Sequence, residues 1–295
     1  MEWNQIQKFM VAAREENFSR AAEKLYMAQP ALSQSIKRLE EELGYPLFCR
    51  EGKKIRLNAS GRIFLQTAVQ INELMENTKV KLEELNQIEH PNVTVHFSTA
   101  SRLLPELLIY LKKRNPGTQY HIHQWQGEKD VYEDDIQILS GPVGSIPGIT
   151  GEDVLLTEQI LLAMPKNHCL LQKKLITLHD LVQEEFISLN ESWELGRTIK
   201  EAMEAFFFEP MTTMIVDNPN MMRELLKAHL GIAFVPAISW GAFAGDEVVL
   251  RHVEGVNLSR CIYIRTKPGK YLTKEQRECI CGIKEFFKKR IVKVV

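Results

Sequence analysis

Between Gln29 and Arg38 the sequence places an amide, a hydroxyl and two cations within three helical turns: Gln34, Ser33, Lys37 and Arg38. Counted at 3.6 residues per turn, Pro30, Gln34, Lys37 and Arg38 share one face, with Ser33 at its edge and Gln29 just before it. Amide, hydroxyl and cationic donors on one helix face can read base edges in a DNA major groove. The same face could also belong to a helix that is merely solvated, so its neighbours decide. A second set, Arg50, Lys53, Lys54 and Arg56 within Pro46–Leu57, has the charge and spacing of a hairpin tip that reaches phosphates.

These groups need a frame. Residues 19–43 read as two short helices joined by a tight turn, with Ser19 as the expected cap of the first. Ala21 and Ala22 allow close helix approach. Pro30 fits the first turn of the second helix, where its missing N–H costs nothing. Leu32, Ile36, Leu39 and Leu43 form its apolar stripe. A preceding helix from about Trp3 to Glu15, with Ile6, Phe9, Met10 and Ala13 inward, completes a three-helix core.

The run Phe18-Ser-Arg-Ala-Ala-Glu-Lys-Leu25, then Gln29-Pro-Ala-Leu-Ser-Gln-Ser-Ile-Lys-Arg-Leu-Glu40, then Gly44-Tyr-Pro-Leu-Phe48 and Arg50, resembles the N-terminal winged helix-turn-helix of LysR-type transcriptional regulators. The likeness is unbroken from Phe18 to Arg50. It implies base-edge contact by Gln29, Pro30, Ser33, Gln34 and Lys37, and phosphate contact by Arg38, Arg50, Lys53, Lys54 and Arg56. Ala28 stands where the family often has a capping Ser, a loss of ~0.5–1 kcal/mol for that helix start. Asn58 replaces the usual Thr after the wing and is expected to change little.

At 295 residues, with 44% hydrophobic and 25% charged residues, the chain has the size and composition of a two-domain globular protein. It has no transmembrane run and no signal-peptide pattern at its N-terminus, so the expected location is cytoplasmic. The net charge of −1 hides an asymmetry: residues 1–65 hold eleven Lys and Arg against eight Asp and Glu. Five cysteines (Cys49, Cys169, Cys261, Cys279 and Cys281) without a CxxC pair are expected to be free thiols, and Cys279 and Cys281 would point to different helix faces.

Residues 59–88 hold no proline, and Phe64, Ile71, Thr78 and Leu85 recur every seven, with Ala68, Met75 and Leu82 interleaved. A helix with such a seam seeks a partner. The resemblance implies a linker-helix pair that makes a homodimer, with tetramers as the higher assembly, so that two wings meet an interrupted palindrome. The dimerisation residues expected are Phe64, Ala68, Ile71, Met75, Leu82 and Leu85.

From Val93 strand-like and helical stretches alternate, predicting an α/β domain with mainly parallel sheets. It resembles the LysR effector domain, a two-lobed fold like periplasmic binding proteins. The expected divisions are 1–58 for the winged helix-turn-helix, 59–90 for the linker helix and 91–295 for the effector domain. Lobe one is expected at 91–164 and 267–295, and lobe two at 165–266. Ligands of such lobes sit at strand carboxyl ends and helix N-termini. Ser98, Thr99, Ser101, Ser188, Asn190 and Asn218 are the residues expected to grip a small carboxylate or another polar metabolite. Each could equally cap its own helix. The stretch Glu128–Asp135 is acidic and too short for the usual crossover helix, which predicts a trimmed lobe one and a more open cleft.

No nucleophile–base set or metal-ligand spacing appears, so an enzyme with a DNA-binding head is disfavoured and no cofactor or metal is expected. The alternative that stays open is a DNA-binding regulator of the same fold with a degenerate pocket and no effector. Expected partners are double-stranded promoter DNA, a second copy of the chain, a small-molecule effector and RNA polymerase, with no membrane.

Overall fold

A computed structural model describes residues 1–51, 54–86, 92–124, 136–144, 148–240 and 247–291. Two units emerge, Met1–Ile88 with Gly269–Tyr271, and Glu89–Pro268 with Leu272–Val295.

In the first unit, α1 (Trp3–Glu15), α2 (Phe18–Lys24) and α3 (Gln29–Leu43) form the three-helix core. Ile6, Phe9, Ala21, Ala22, Leu32, Ile36 and Leu39 are buried in it. The cap of α2 is Asn17, not Ser19: its side-chain oxygen accepts from the Ser19 N–H at 3.0 Å and the Arg20 N–H at 3.1 Å. A residue just outside the helix can reach both free donors, whereas Ser19 already lies inside. Ala28 gives α3 no side-chain cap, Pro30 sits in its first turn, and Gly44 ends it at φ 78°.

Strands β1 (Phe48–Glu51) and β2 (Lys54–Leu57) pair antiparallel as the wing, Phe48 opposite Leu57. Glu40 anchors its start, accepting from the Leu47 N–H at 2.7 Å and the Phe48 N–H at 3.2 Å. Helix α4 (Ala59–Leu85) follows, capped by Asn58, which accepts from the Gly61 N–H at 2.8 Å and donates to the Pro46 carbonyl at 2.7 Å. Asn58 thereby fastens the wing to the helix, a larger part than its sequence position suggested.

The second unit has two apolar cores. One gathers β3 (Asn92–Phe97), α5 (Leu104–Arg114), β5 (Ile136–Pro142), β11 (Ser259–Thr266) and α8 (Lys274–Ile291), with β4 (Gln119–Gln124) beside β3. The other gathers β7 (Glu185–Leu189), α6 (Glu194–Ala205), β8 (Met211–Val216), α7 (Pro219–Lys227), β9 (Ala233–Pro236) and β10 (Val248–Arg251). Strand β6 (Val154–Pro165) runs through both, pairing with β11 at one end and with β9 and β10 at the other.

The cores hand over between Leu156 and Ile160 and between Val253 and Ile262. The lobe boundaries therefore fall several residues before the expected Pro165 and Thr266. The sheets are mixed rather than mainly parallel: β3 pairs in parallel with β4 and β5, and β7 with β8, while every pairing of β6 and β11 is antiparallel. The two crossing strands run against their neighbours because they carry the chain back between lobes. The expectation of a shortened crossover at Glu128–Asp135 lies outside the described residues.

Candidate functional site

On α3 the apolar stripe turns Leu32, Ile36 and Leu39 inward, which leaves Gln29, Pro30, Gln34, Lys37 and Arg38 exposed and Ser33 half-buried. Gln29 donates to the Ser33 hydroxyl at 2.9 Å, and Lys37 lies 3.5 Å from Glu41. These exposed pairs are individually weak, so the side chains can exchange them for a ligand. On the wing, Arg50 and Lys54 occupy opposing strands and Arg56 is exposed beside them; Lys53 lies outside the described residues. A buried stripe thus fixes a helix whose outer face offers amide and cationic donors, with a cationic hairpin next to it.

Along α4 the expected dimerisation residues divide. Phe64 packs on Phe9 with ring centroids 5.1 Å apart, and Ala68 is buried in the same core. Ala68 is therefore a core residue of its own domain, and half-buried Phe64 packs against that core. The seven-residue count could not see this, because α1 already covers the first turns of α4. Beyond them Ile71, Leu74, Met75, Leu82 and Leu85 are all exposed, Leu85 at 78%.

In the second unit, Ser98, Thr99 and Ser101 line a cavity between the lobes together with Ser140, Glu194 and Arg260. Its volume is about 20 Å³, room for one water. The walls include Trp193 and Trp240. Under the cavity Glu158 and Arg260, each 2% exposed, form a buried pair with Nε 3.0 Å from Oε1. Glu158 also accepts from the Ile238 N–H at 2.9 Å, the Ser239 N–H at 2.7 Å and the Ser239 hydroxyl at 2.6 Å.

Ser188 and Asn190 line a different and larger cavity in lobe two, about 1,020 Å³, between α6 and the β7–β8 pair. There the Ser188 hydroxyl lies 3.3 Å from that of Thr212, and Asn190 accepts from the Ser192 N–H at 2.8 Å. Asn218 caps α7, accepting from the Asn220 N–H at 2.8 Å, and only its neighbour Pro219 reaches the cleft. The six expected effector residues are thus not one site.

Sequence reasoning missed Ser140, Glu158, Glu194 and Arg260. For Glu158 and Arg260 the signal was present, a lone charge inside an apolar strand run, since such charges persist when paired. It also missed a cluster of His168, Cys169 and Glu184. There both ring nitrogens are in use: Nδ1 accepts from the Leu170 N–H at 3.3 Å and Nε2 lies 3.2 Å from Glu184. Cys49, Cys169, Cys261, Cys279 and Cys281 are all free thiols, with Cys279 buried and Cys281 exposed on the same helix. Burial pushes the Cys279 thiol up to about 12.

Fold and surface together define a winged helix-turn-helix DNA-binding protein carrying a two-lobed α/β domain. The family "Bacterial regulatory helix-turn-helix protein, lysR family" matches residues 3–62, and "LysR substrate binding domain" matches residues 90–287. The Hca operon transcriptional activator HcaR of Escherichia coli (strain K12) is 31% identical over 278 residues, 91% of this chain and 93% of the relative. The transcriptional dual regulator GltC of Bacillus subtilis (strain 168) is 28% identical, covering 98% of each chain. Among solved structures, CbnR in complex with its target DNA shares the fold with a TM-score of 0.53 at 21% identity, over 98% of this chain and 99% of that one. The chain belongs to the LysR family. It is a DNA-binding transcriptional regulator, and these relatives are transcriptional regulators too. Among the described residues no helix is long and apolar enough to cross a membrane.

Proposed function

We propose that this regulator binds an interrupted palindrome in promoter DNA as a homo-oligomer, in the cytoplasm, and responds to a small-molecule effector taken between its lobes. Gln29, Pro30, Ser33, Gln34 and Lys37 read base edges. Arg38, Arg50, Lys53, Lys54 and Arg56 hold phosphates. The observation that carries the DNA part is the exposed donor face of α3 above its buried stripe. Pairing of α4 with a second copy is supported by Ile71, Leu74, Met75, Leu82 and Leu85 lying exposed on one helix, an apolar face that a water-exposed helix rarely leaves uncovered. The effector part is supported by Ser98, Thr99 and Ser101 at the cleft. Transcription would follow through contact with RNA polymerase.

Salt-dependent binding to the chain's own upstream intergenic DNA tests the first part. Gln34→Ala should relax sequence preference, and Lys53→Ala should weaken binding to all DNA with a salt slope reduced by ~0.9 for each bound wing. No preference over random duplex would overturn the assignment. Leu82→Glu should shift sedimentation towards the monomer, and a metabolite that raises the melting temperature should lose that effect in Thr99→Ala. A second reading, the same regulator with no effector, is favoured by the small cavity, about 20 Å³, that the described residues line between the lobes.

A further inference from the structure

The expectation of a bound carboxylate between the lobes meets an unexpected occupant. Glu194 opens α6 in lobe two, and its Oε2 accepts a hydrogen bond from the Ser140 hydroxyl on β5 of lobe one. The same oxygen lies 3.5 Å from Nη1 of Arg260 on β11, and Oε1 accepts from the Thr198 hydroxyl at 2.7 Å. Arg260 spends Nε on Glu158 at 3.0 Å and Nη2 on Ser239 at 2.9 Å, so its Nη1 corner is the one that faces the cleft. A buried guanidinium is costly unless its N–H groups are met by acceptors. The N-terminus of α6 adds a positive dipole end at the same place. One hydroxyl, one guanidinium corner and one helix start therefore converge on a single carboxylate, and the chain supplies it.

We infer that Glu194 is an internal ligand of the interlobe cleft, seated where the carboxylate of a small-molecule effector would sit. This rests on the proposal that the cleft is the effector site. With Glu194 in place, the cavity that the described residues line at this point holds about 20 Å³, room for about one water, and the position a carboxylate would take is filled. The wild-type cleft therefore refuses simple carboxylates, and an anionic effector enters only by displacing Glu194. Because Glu194 stands on lobe two, Ser140 on lobe one and Arg260 on the strand that crosses between them, that exchange would break a link between the lobes. The Glu194 side chain is 20% exposed, so an anion from solvent can compete for its place.

Replacing Glu194 by Ala removes one CH₂ and one carboxylate, the outline of acetate. The experiment is a set of thermal melts of the full chain as wild type, E194A, E194S and E194Q, in sodium acetate, in sodium chloride of equal ionic strength and in acetamide. The serine variant keeps the outcome from hanging on one substitution's folding. E194A and E194S should melt lower than wild type in chloride by ~2–4 °C, the shift expected for about one lost interaction in a domain of this size. Acetate should recover most of that, by mass action, while acetamide recovers none. Wild type and E194Q, whose cleft is filled, should not respond. Failure of acetate to raise either short variant above its chloride value overturns the inference, as does an equal rise in wild type. The underlying proposal fails separately. Acetate rescue without any Thr99-dependent metabolite response keeps Glu194's role and removes the cleft as effector site. A Thr99-dependent response without acetate rescue does the reverse.

Discussion

Glu158→Gln isolates the buried charge network that joins the two crossing strands. The carboxylate accepts four hydrogen bonds, from Arg260 Nε, the Ser239 hydroxyl and the backbone N–H groups of Ile238 and Ser239. Gln keeps the shape but turns one oxygen into a donor, which must face either the two backbone N–H groups or the guanidinium and hydroxyl. In either orientation two donors lose their acceptor, and Arg260, 2% exposed, loses its principal counter-charge. Removing one partner of a buried pair costs ~3–5 kcal/mol. In a domain of roughly 200 residues each kcal/mol moves the melting temperature by ~2–4 °C, so the expected drop is ~6–20 °C. Calorimetry of the full chain reads it, with far-UV circular dichroism at 10 °C to verify that the variant starts folded. A drop under 2 °C would show that water or local movement satisfies the donors, and that the network does not hold the lobes together.

Three further outcomes follow from single positions. A Cβ on Gly61 would meet the Leu47 carbonyl oxygen at 2.1 Å, a backbone atom that cannot swing away; Gly61→Ala should cost ~1–3 kcal/mol in urea unfolding and weaken DNA binding, because the wing starts at that carbonyl. Tyr26 occupies the left-handed residue after α2 at φ 52°, with the Met27 N–H on the Ala22 carbonyl at 3.0 Å, so Tyr26→Gly should stabilise the first unit by ~1 kcal/mol in the same assay. The Cys279 thiol, at about 12, stays protonated far above neutral pH; iodoacetamide at pH 8 followed by mass spectrometry should label the exposed Cys49, Cys169 and Cys281 and leave Cys279 and Cys261 unmodified.

What the sequence made legible was whatever is decided locally. The 3.6-residue spacing of Leu32, Ile36 and Leu39 determines which side of α3 is buried, and hence that Gln34 and Lys37 face outward. The wing follows from a turn between two short runs. The apolar repeat of α4 was read too far towards its start, because the packing of Phe64 and Ala68 depends on α1, some fifty residues earlier, and not on α4 itself. The cleft fails the same test more severely. Ser140 meets Glu194 across 54 positions and Arg260 across 120, separations that leave no periodic trace.

Capping chemistry explains why the expected effector residues scattered. Ser, Thr and Asn at strand ends are chosen for ligands, for helix starts and for tight turns; Asn218 is spent on the start of α7 and Asn190 on the turn ahead of α6, each on an N–H two residues ahead. A short polar side chain followed by a helix cannot be assigned to a ligand on its type alone. A charge buried in an apolar strand is different, since it has no local use and must have a distant partner. Glu158 in Leu155-Leu-Thr-Glu-Gln-Ile160 and Arg260 in Ser259-Arg-Cys-Ile-Tyr263 were therefore the residues from which the cleft could have been sought. They lead to Ser140 and Glu194 through a single guanidinium, which sits where the chain crosses between the two lobes.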